Sequence, residues 1–367
     1  MSMSELPRDL LEEILFRVPD RSLRPLRSTC KQWNSIFNDQ RFRRKHFDKA
    51  PKQSMVLMFT TNSRICSLNV NLNETPSEEV GVELSGFGIY EVFHCDGLLL
   101  YINALKSIME VWNPFMGKTR WIQGIDLNRK NYRYVLGSYQ DNKSGTTSYK
   151  VLRYSFGNKP VFEICELYSN SWRIIDVTPN LSFYGHPCNS CVSLKGKNYF
   201  FAFDEEESQL DMVSFDYTTE SFGSRMSLPY QFPIGSYFIK SLSSVRDEKL
   251  SLLLQLSDTS SKEIWVTNKI DETTTQVLLW TKVLTVDYPY LRHGFTSFLF
   301  DEENRKIVCC ERGRSRTGDA NYGADWVYIV GDDNKVTKLS FGEHSILSCV
   351  PHLFPSLVQI EHPQRKE

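Results

Sequence analysis

The sequence has almost no net charge, no long apolar run and no paired metal-ligand motif, and each lack closes off a class of function. With 43 Lys+Arg against 44 Asp+Glu, the formal charge is −1, and no basic stripe with interleaved aromatics points to nucleic acid. No run reaches the roughly 18 apolar residues of a membrane helix; LSLLLQLS at 250–257 is strand-sized. The first twenty residues are charged and amphipathic, unlike a secretory signal peptide. Nine cysteines scatter without a framework, so reduced thiols in cytosol or nucleus are expected rather than disulfides.

Motifs for chemistry are equally sparse. Cys188-Asn189-Ser190-Cys191, with His186 just upstream, has metal-like spacing. A structural zinc site takes four ligands, commonly two such pairs, and there is no second pair; Cys191 is expected in the core. His94-Cys95-Asp96-Gly97 puts imidazole, thiol and carboxylate side by side, but neighbours on a strand point to opposite faces. Asp96-Gly97 reads as a turn before Leu98. Gly313, Gly318 and Gly323 make no phosphate loop, because no Gly-Lys-Ser/Thr follows. No catalytic residue, metal or cofactor is expected.

What is present divides in two. Residues 1–52 hold 12 Lys+Arg against 7 Asp+Glu, and the remainder 31 against 37. The first part is helical in pattern. Ser4 is placed to cap a first helix and Pro7 suits its first turn. Leu10, Ile14 and Val18 recur four apart with Leu11 and Leu15 beside them, and Pro19 stops the run. Leu23 and Leu26 face a second short helix, with Pro25 early in it. Cys30, Trp33, Ile36 and Phe37 fall on a third, and Asn38 or Asp39 starts a fourth with Phe42 and Phe47. So short a segment buries little surface and is expected to need a partner over its apolar side.

The ordered pieces Leu6-Pro7, Asp9-Leu10, Glu13-Ile14-Leu15, Val18-Pro19, Ser22-Leu23 and Cys30-Lys31-Gln32-Trp33 resemble an F-box. The resemblance covers about 45 residues. It implies docking on a Skp-type adaptor and, through it, on cullin and RING subunits. The residues it marks for that contact are Leu6, Pro7, Leu10, Ile14, Leu15, Val18, Pro19, Leu23, Leu26, Cys30 and Trp33. Pro25-Leu26 departs from the leucine, arginine and phenylalanine run of many relatives, which weakens the contacts expected of the second helix.

After Ala50-Pro51, short runs rich in Val, Ile, Phe, Tyr and Trp alternate with Gly, Asn, Asp and Ser, the texture of strands and turns. No long helix separates them, which argues against a parallel α/β layout. Groups of strands restart near residues 95, 148, 191, 248 and 297, a spacing in the range of propeller blades. A first blade over 53–91, completed by a C-terminal strand near Ser356–Ile360, would close the ring and hide both edges. The expected architecture is therefore a small all-α module of three to four short helices (1–50), then an all-β domain (51–367). That domain is expected to be a kelch-like β-propeller of about six blades. Two stacked antiparallel sheets are the alternative.

VWNPFMGKTRWI, YKVLRY, FEICELYSNSWRIIDVTP, VSLKGKNYFFA, SFDYTTESFG, EIWVTNKI and PSLVQI look like the F-box associated domain of plant F-box proteins. This resemblance implies a domain that holds a protein target for ubiquitination and marks no residue for the target. Arg312, Arg314 and Arg316, separated by Gly and Ser, are candidates to grip a phosphate or an acidic segment. Asp204-Glu205-Glu206-Glu207 is a solvated loop or a grip for a basic one. The function expected is that of a non-catalytic substrate receptor of a Skp–cullin–F-box ligase, acting in cytoplasm or nucleus. The alternatives are a scaffold that degrades nothing and a propeller that binds a small ligand or glycan.

Overall fold

The computed structural model describes residues 6–18, 26, 31–39, 41–42, 45–46, 55–60, 64–69, 77–83, 89–103, 108–114, 116–123, 132–141, 147–155, 160–167, 169–177, 181–183, 190–204, 206–207, 209–230, 239–255, 261–270, 277–287, 296–311, 326–340, 346–353, 356, 358 and 360. Among the described residues, α1 (Arg8–Leu15) and α2 (Lys31–Asn38) precede an all-β body, and Leu26, residues 41–42 and residues 45–46 are helical as well. Helix α1 starts one residue later than its Pro7 suggested. Pro7 itself occupies the cap position, and its carbonyl accepts the Leu11 N–H at 3.1 Å. The helix ends at Leu15, and tighter bonds from Arg17 and Val18 to Ile14 and Leu15 unwind it before Pro19. Among the described residues no helix is long and apolar enough to cross a membrane.

Among the described residues the strands form six antiparallel sheets. β1 (Met55–Thr60), β2 (Arg64–Asn69) and β3 (Ser77–Glu83) form the first, with β25 (Ile346–Leu353) on the free side of β1. The second runs β4 (Ile89–Cys95), β5 (Leu98–Asn103), β6 (Ile108–Asn113), β7 (Lys118–Ile122). The third runs β8 (Tyr132–Gln140), β9 (Thr147–Ser155), β10 (Phe162–Glu166), β11 (Ser171–Ile175). In the fourth, β12 (Ser182–Phe183) and β13 (Cys191–Leu194) both pair with β14 (Lys197–Asp204), followed by β15 (Gln209–Asp216) and β16 (Ser221–Phe222). β17 (Ile239–Val245), β18 (Lys249–Gln255), β19 (Ser261–Thr267) and β20 (Trp280–Asp287) make the fifth. β21 (Thr296–Asp301), β22 (Lys306–Glu311), β23 (Trp326–Gly331) and β24 (Val336–Ser340) make the sixth.

First strands meet around a ring: β25 contacts β4, β4 contacts β8, β13 contacts β17, β17 contacts β21, and β21 returns to β25. The contact of β8 with β14 completes the circuit. The C-terminal strand does join the first sheet, as the sequence suggested, but over Ile346–Leu353. Residues 356–360 lie beyond it. There Asn113 Nδ2 donates to the carbonyls of Ser356 at 2.9 Å and Val358 at 2.7 Å, and Ile360 enters the core.

Local chemistry explains the hairpins. Asp96 and Gly97 have φ of 50° and 79°, and Lys195 and Gly196 have 50° and 72°. Two successive positive φ values make the two-residue turn whose twist matches the strands. The Asp96-Gly97 turn is thus structural, with Gly97 N–H donating to His94 Nε2 at 3.0 Å and Cys95 buried. β5 is buried along its whole length, as expected of a strand covered on both faces.

The first strands bury polar residues among apolar ones. Glu91, Ser138, Ser241, Ser243, Ser244 and Ser297 are buried there, and in β17 three serines interrupt the Val/Ile/Phe signature. The expected restarts near residues 95, 148 and 248 each fall one strand later than the sheets begin, at Ile89, Tyr132 and Ile239. Glu91 lies 3.9 Å from Arg133 on the neighbouring first strand. Burial pushes its carboxyl up to about 8, although Arg133 pulls the other way. The native state then keeps a proton that the unfolded chain releases above about 4.5. Stability is therefore greatest below that pH and falls as pH rises towards 8, by roughly 4 kcal/mol at most. Glu91→Gln is expected to flatten the urea-midpoint profile between pH 5 and 8. An unchanged slope would remove Glu91 as its source.

Cys95, Cys165, Cys191 and Cys309 are free and buried, and Cys191 sits in the core as expected. Cys310 is disulfide-bonded, which corrects the expectation of reduced thiols at that position. Cys309 and Cys310 point to opposite faces of β22. The first packs in a core cluster with Val245, Leu253 and Tyr328.

Candidate functional site

Helix α1 is apolar on more than one side, and the structure divides those sides. Leu11 and Leu15 turn inward with Phe16, Trp33, Ile36, Phe37 and Phe42 to form a small core. Phe16 stacks on Phe42 at 5.0 Å between centroids, and Phe37 meets Phe42 at 5.9 Å. The helical module thus has a core of its own, more than its length led one to expect. Arg8 ties the module together, donating to Glu12 and to Asp39. Asp39 Oδ1 in turn accepts the N–H groups of Arg41 at 2.9 Å and Phe42 at 3.3 Å, the cap expected to start a further helical turn.

Leu10 and Ile14, one turn apart, point outward. They remain 55% and 39% exposed beside exposed Pro7 and half-buried Leu6. Val18 and Leu26 are half-buried against the core. Leu15 and Trp33 are buried in that core and hold the helices in place. Pro19, Leu23 and Cys30 lie outside the described residues. Pro7, Leu10 and Ile14 are exposed on α1, with the exposed charges of Asp9, Glu13 and Arg17 around them.

The module also touches the body. Met116, in the turn between β6 and β7, packs against the helical core. Its N–H donates to Asn113 Oδ1 at 2.9 Å, and Asn113 also holds the 356–358 segment. Nothing in the sequence marked Met116, because its partners lie some eighty residues away.

On the body, Arg312, Arg314 and Arg316 lie outside the described residues, as do His186 and Cys188. Asp204 is not a free surface charge. Its Oδ1 accepts the N–H groups of Glu206 and Glu207, and Arg225 bonds Asp204, Glu207 and Asp211. Among the tryptophans, Trp112 is buried and Trp172, Trp265 and Trp280 are half-buried, but Trp121 stands 55% exposed on β7. Among the described residues no three His, Cys, Asp or Glu side chains are grouped to hold a metal.

Two family profiles match the chain. The F-box domain matches residues 3–45, and the F-box associated beta propeller domain matches residues 55–360. An Arabidopsis thaliana protein described as an F-box protein, At4g09870, is 51% identical, over 100% of this chain and 98% of its own length. F-box protein At2g07140 of the same plant is 43% identical, covering 98% of this chain and 97% of its own length. F-box/kelch-repeat protein At3g44120, also from Arabidopsis thaliana, is 42% identical with the same shares covered. The chain belongs to the F-box proteins that carry a C-terminal F-box associated β-propeller.

Proposed function

We propose that this protein is a non-catalytic substrate receptor of a Skp–cullin–F-box ubiquitin ligase. The observation that carries the reading is the division of α1. Its inward residues already complete a core, yet Leu10 and Ile14 stay exposed one turn apart, the arrangement of a helix face that docks into an apolar groove. A Skp-type adaptor is the occupant that the F-box match supports, and the adaptor links the chain to cullin and RING subunits. Pro7, Leu10 and Ile14 are the direct contacts in this reading; Leu6, Val18 and Leu26 flank them, with Pro19, Leu23 and Cys30 as further candidates.

The ring of sheets, read as a kelch-like propeller, then presents a protein target. Its contribution is proximity, which raises the local concentration of target lysines near a reactive thioester. No proton needs to move on this chain. The site of action is cytoplasm or nucleus, where the ubiquitin machinery operates. Arg312, Arg314 and Arg316 remain candidates for target contact.

The test is partner abundance upon overexpression, with and without proteasome inhibition. Partners captured by residues 50–367 should fall in level, and the fall should vanish when the proteasome is blocked. Partners that bind at unchanged level in both conditions would instead support a scaffold.

A further inference from the structure

A corner of the fifth sheet has a chemistry that adaptor docking does not use. Glu263 and Trp265 are two apart on β19 and so share a face, and the register sets Lys282 of β20 opposite Trp265. Tyr230 arrives from the segment after β16, which Trp280 anchors by donating its Nε1–H to the Ser227 carbonyl at 3.0 Å. Glu263 Oε2 accepts from the Tyr230 hydroxyl at 3.2 Å and from Trp265 Nε1 at 3.0 Å; Oε1 accepts from Lys282 Nζ at 2.9 Å. The two rings meet at 81° with centroids 5.2 Å apart, and Lys282 Nζ lies 5.8 Å from the Trp265 centroid. Burial opposes ionisation of Glu263. The bonds from Lys282, Trp265 and Tyr230 outweigh it and hold the carboxyl below its usual range.

A carboxylate at the foot of two perpendicular rings is suited to an ammonium or guanidinium, which meets the charge and a π face together. The present occupant is tethered but not locked in. The Lys282 side chain is 44% exposed, whereas that of Glu263 is 11%. Ion pairs with an exposed partner contribute little, and a lysine stem has many rotamers. An outside cation can therefore replace Lys282 without leaving Glu263 unpaired.

We propose that this corner takes a lysine or arginine side chain of the bound target, with Lys282 as its internal placeholder. The proposal rests on the body being the target-binding domain, and it names the chemistry that domain reads. Charge around the corner supports it. On the sheet before it, the end of β14 and the turn into β15 carry Asp204, Glu206 and Glu207, with Asp211 beside them. Arg225, five residues before Tyr230, bonds Asp204, Glu207 and Asp211. Tyr230, 38% exposed, offers apolar surface for the stem of an incoming side chain.

The experiment titrates the full-length protein with acetyl-arginine methylamide, following the Trp265 indole N–H resonance. Lys282→Ala is expected to bind the probe at least ten-fold more tightly than the wild type. Glu263→Gln placed on top of Lys282→Ala should remove that gain, and the neutral acetyl-citrulline methylamide should shift nothing. Lys282→Gln, which keeps most of the stem, should repeat the gain and guards against a folding defect in the alanine variant. The proposal is overturned if neither Lys282 variant gives a saturating shift, or if Glu263→Gln binds as tightly as its parent. Adaptor binding by the same samples reports separately on the ligase reading, because the Leu10 and Ile14 face is in the helical module.

Discussion

Replacing Leu10 and Ile14 together with aspartate is expected to abolish adaptor capture while leaving the protein folded. Both side chains face solvent in the free chain, so their replacement removes no core contact, and surface changes of this kind usually stay within about 0.5 kcal/mol. In the proposed complex they would enter an apolar groove. Burying a Leu or Ile side chain is favourable by roughly 1.5–3 kcal/mol each, and an unpaired buried carboxylate adds a further penalty. A loss of about 3 kcal/mol or more corresponds to over a hundred-fold in affinity. The control is Leu11→Asp, which strikes the buried side of the same helix. It should unfold the module, as seen by lost Phe37 and Phe42 packing, and lose binding for that reason. Retained binding by Leu10→Asp/Ile14→Asp would place the docking surface elsewhere.

Gly137→Ala is expected to be among the most destabilising single changes in the body. A Cβ at Gly137 would lie 1.9 Å from Tyr217 Cε2 and 2.2 Å from Cδ2, well inside van der Waals contact. The ring cannot step aside. Tyr217 is fully buried, packs edge-on against Phe215 at 5.1 Å, and accepts at its hydroxyl from Asn198 Nδ2 at 2.8 Å. Its backbone is fixed as well, with its N–H on the Gly196 carbonyl and its own carbonyl on Lys150 Nζ. Overpacking of this kind costs about 1–3 kcal/mol even where side chains can shift. Here strand β8 itself must move, so about 3 kcal/mol or more is expected, read as a lower urea midpoint. Tyr217→Leu should itself destabilise, yet combined with Gly137→Ala it should cost less than the sum of the two. Strict additivity would show that the clash is relieved some other way.

The helical module was legible because its signals are local. The spacing of Leu10, Leu11, Ile14 and Leu15 revealed an amphipathic helix, but not which apolar stripe would face the core. That depended on Trp33, Phe37 and Phe42, which pack with Leu11 and Leu15 on one side of the helix. Turn residues were equally readable: Asp96-Gly97 needs no tertiary context to make a tight hairpin. The first strands of the sheets were harder. Glu91 and the serines at 241, 243 and 244 are buried where strands converge, so polar residues stand where apolar ones would have announced a strand. The closing strand was displaced for a different reason. Apolar character in PSLVQI marked it, but Ser356 and Val358 serve as carbonyl acceptors for Asn113, and ILSCVPHL carries the pairing. The corner at Glu263 had one readable half, the Glu-x-Trp alternation. Lys282 is brought there by the register of β20 on β19, and Tyr230 by the segment after β16, neither of which the sequence displays.

The most direct measurement is titration calorimetry of the intact protein against a purified Skp-type adaptor. The account predicts a one-to-one complex with a Kd at or below about 1 μM, or roughly −8 kcal/mol, and a negative heat-capacity change from burying the Leu10 and Ile14 face. A folded protein that shows no heat and no complex at tens of micromolar adaptor, about ten times that Kd or more, would contradict it.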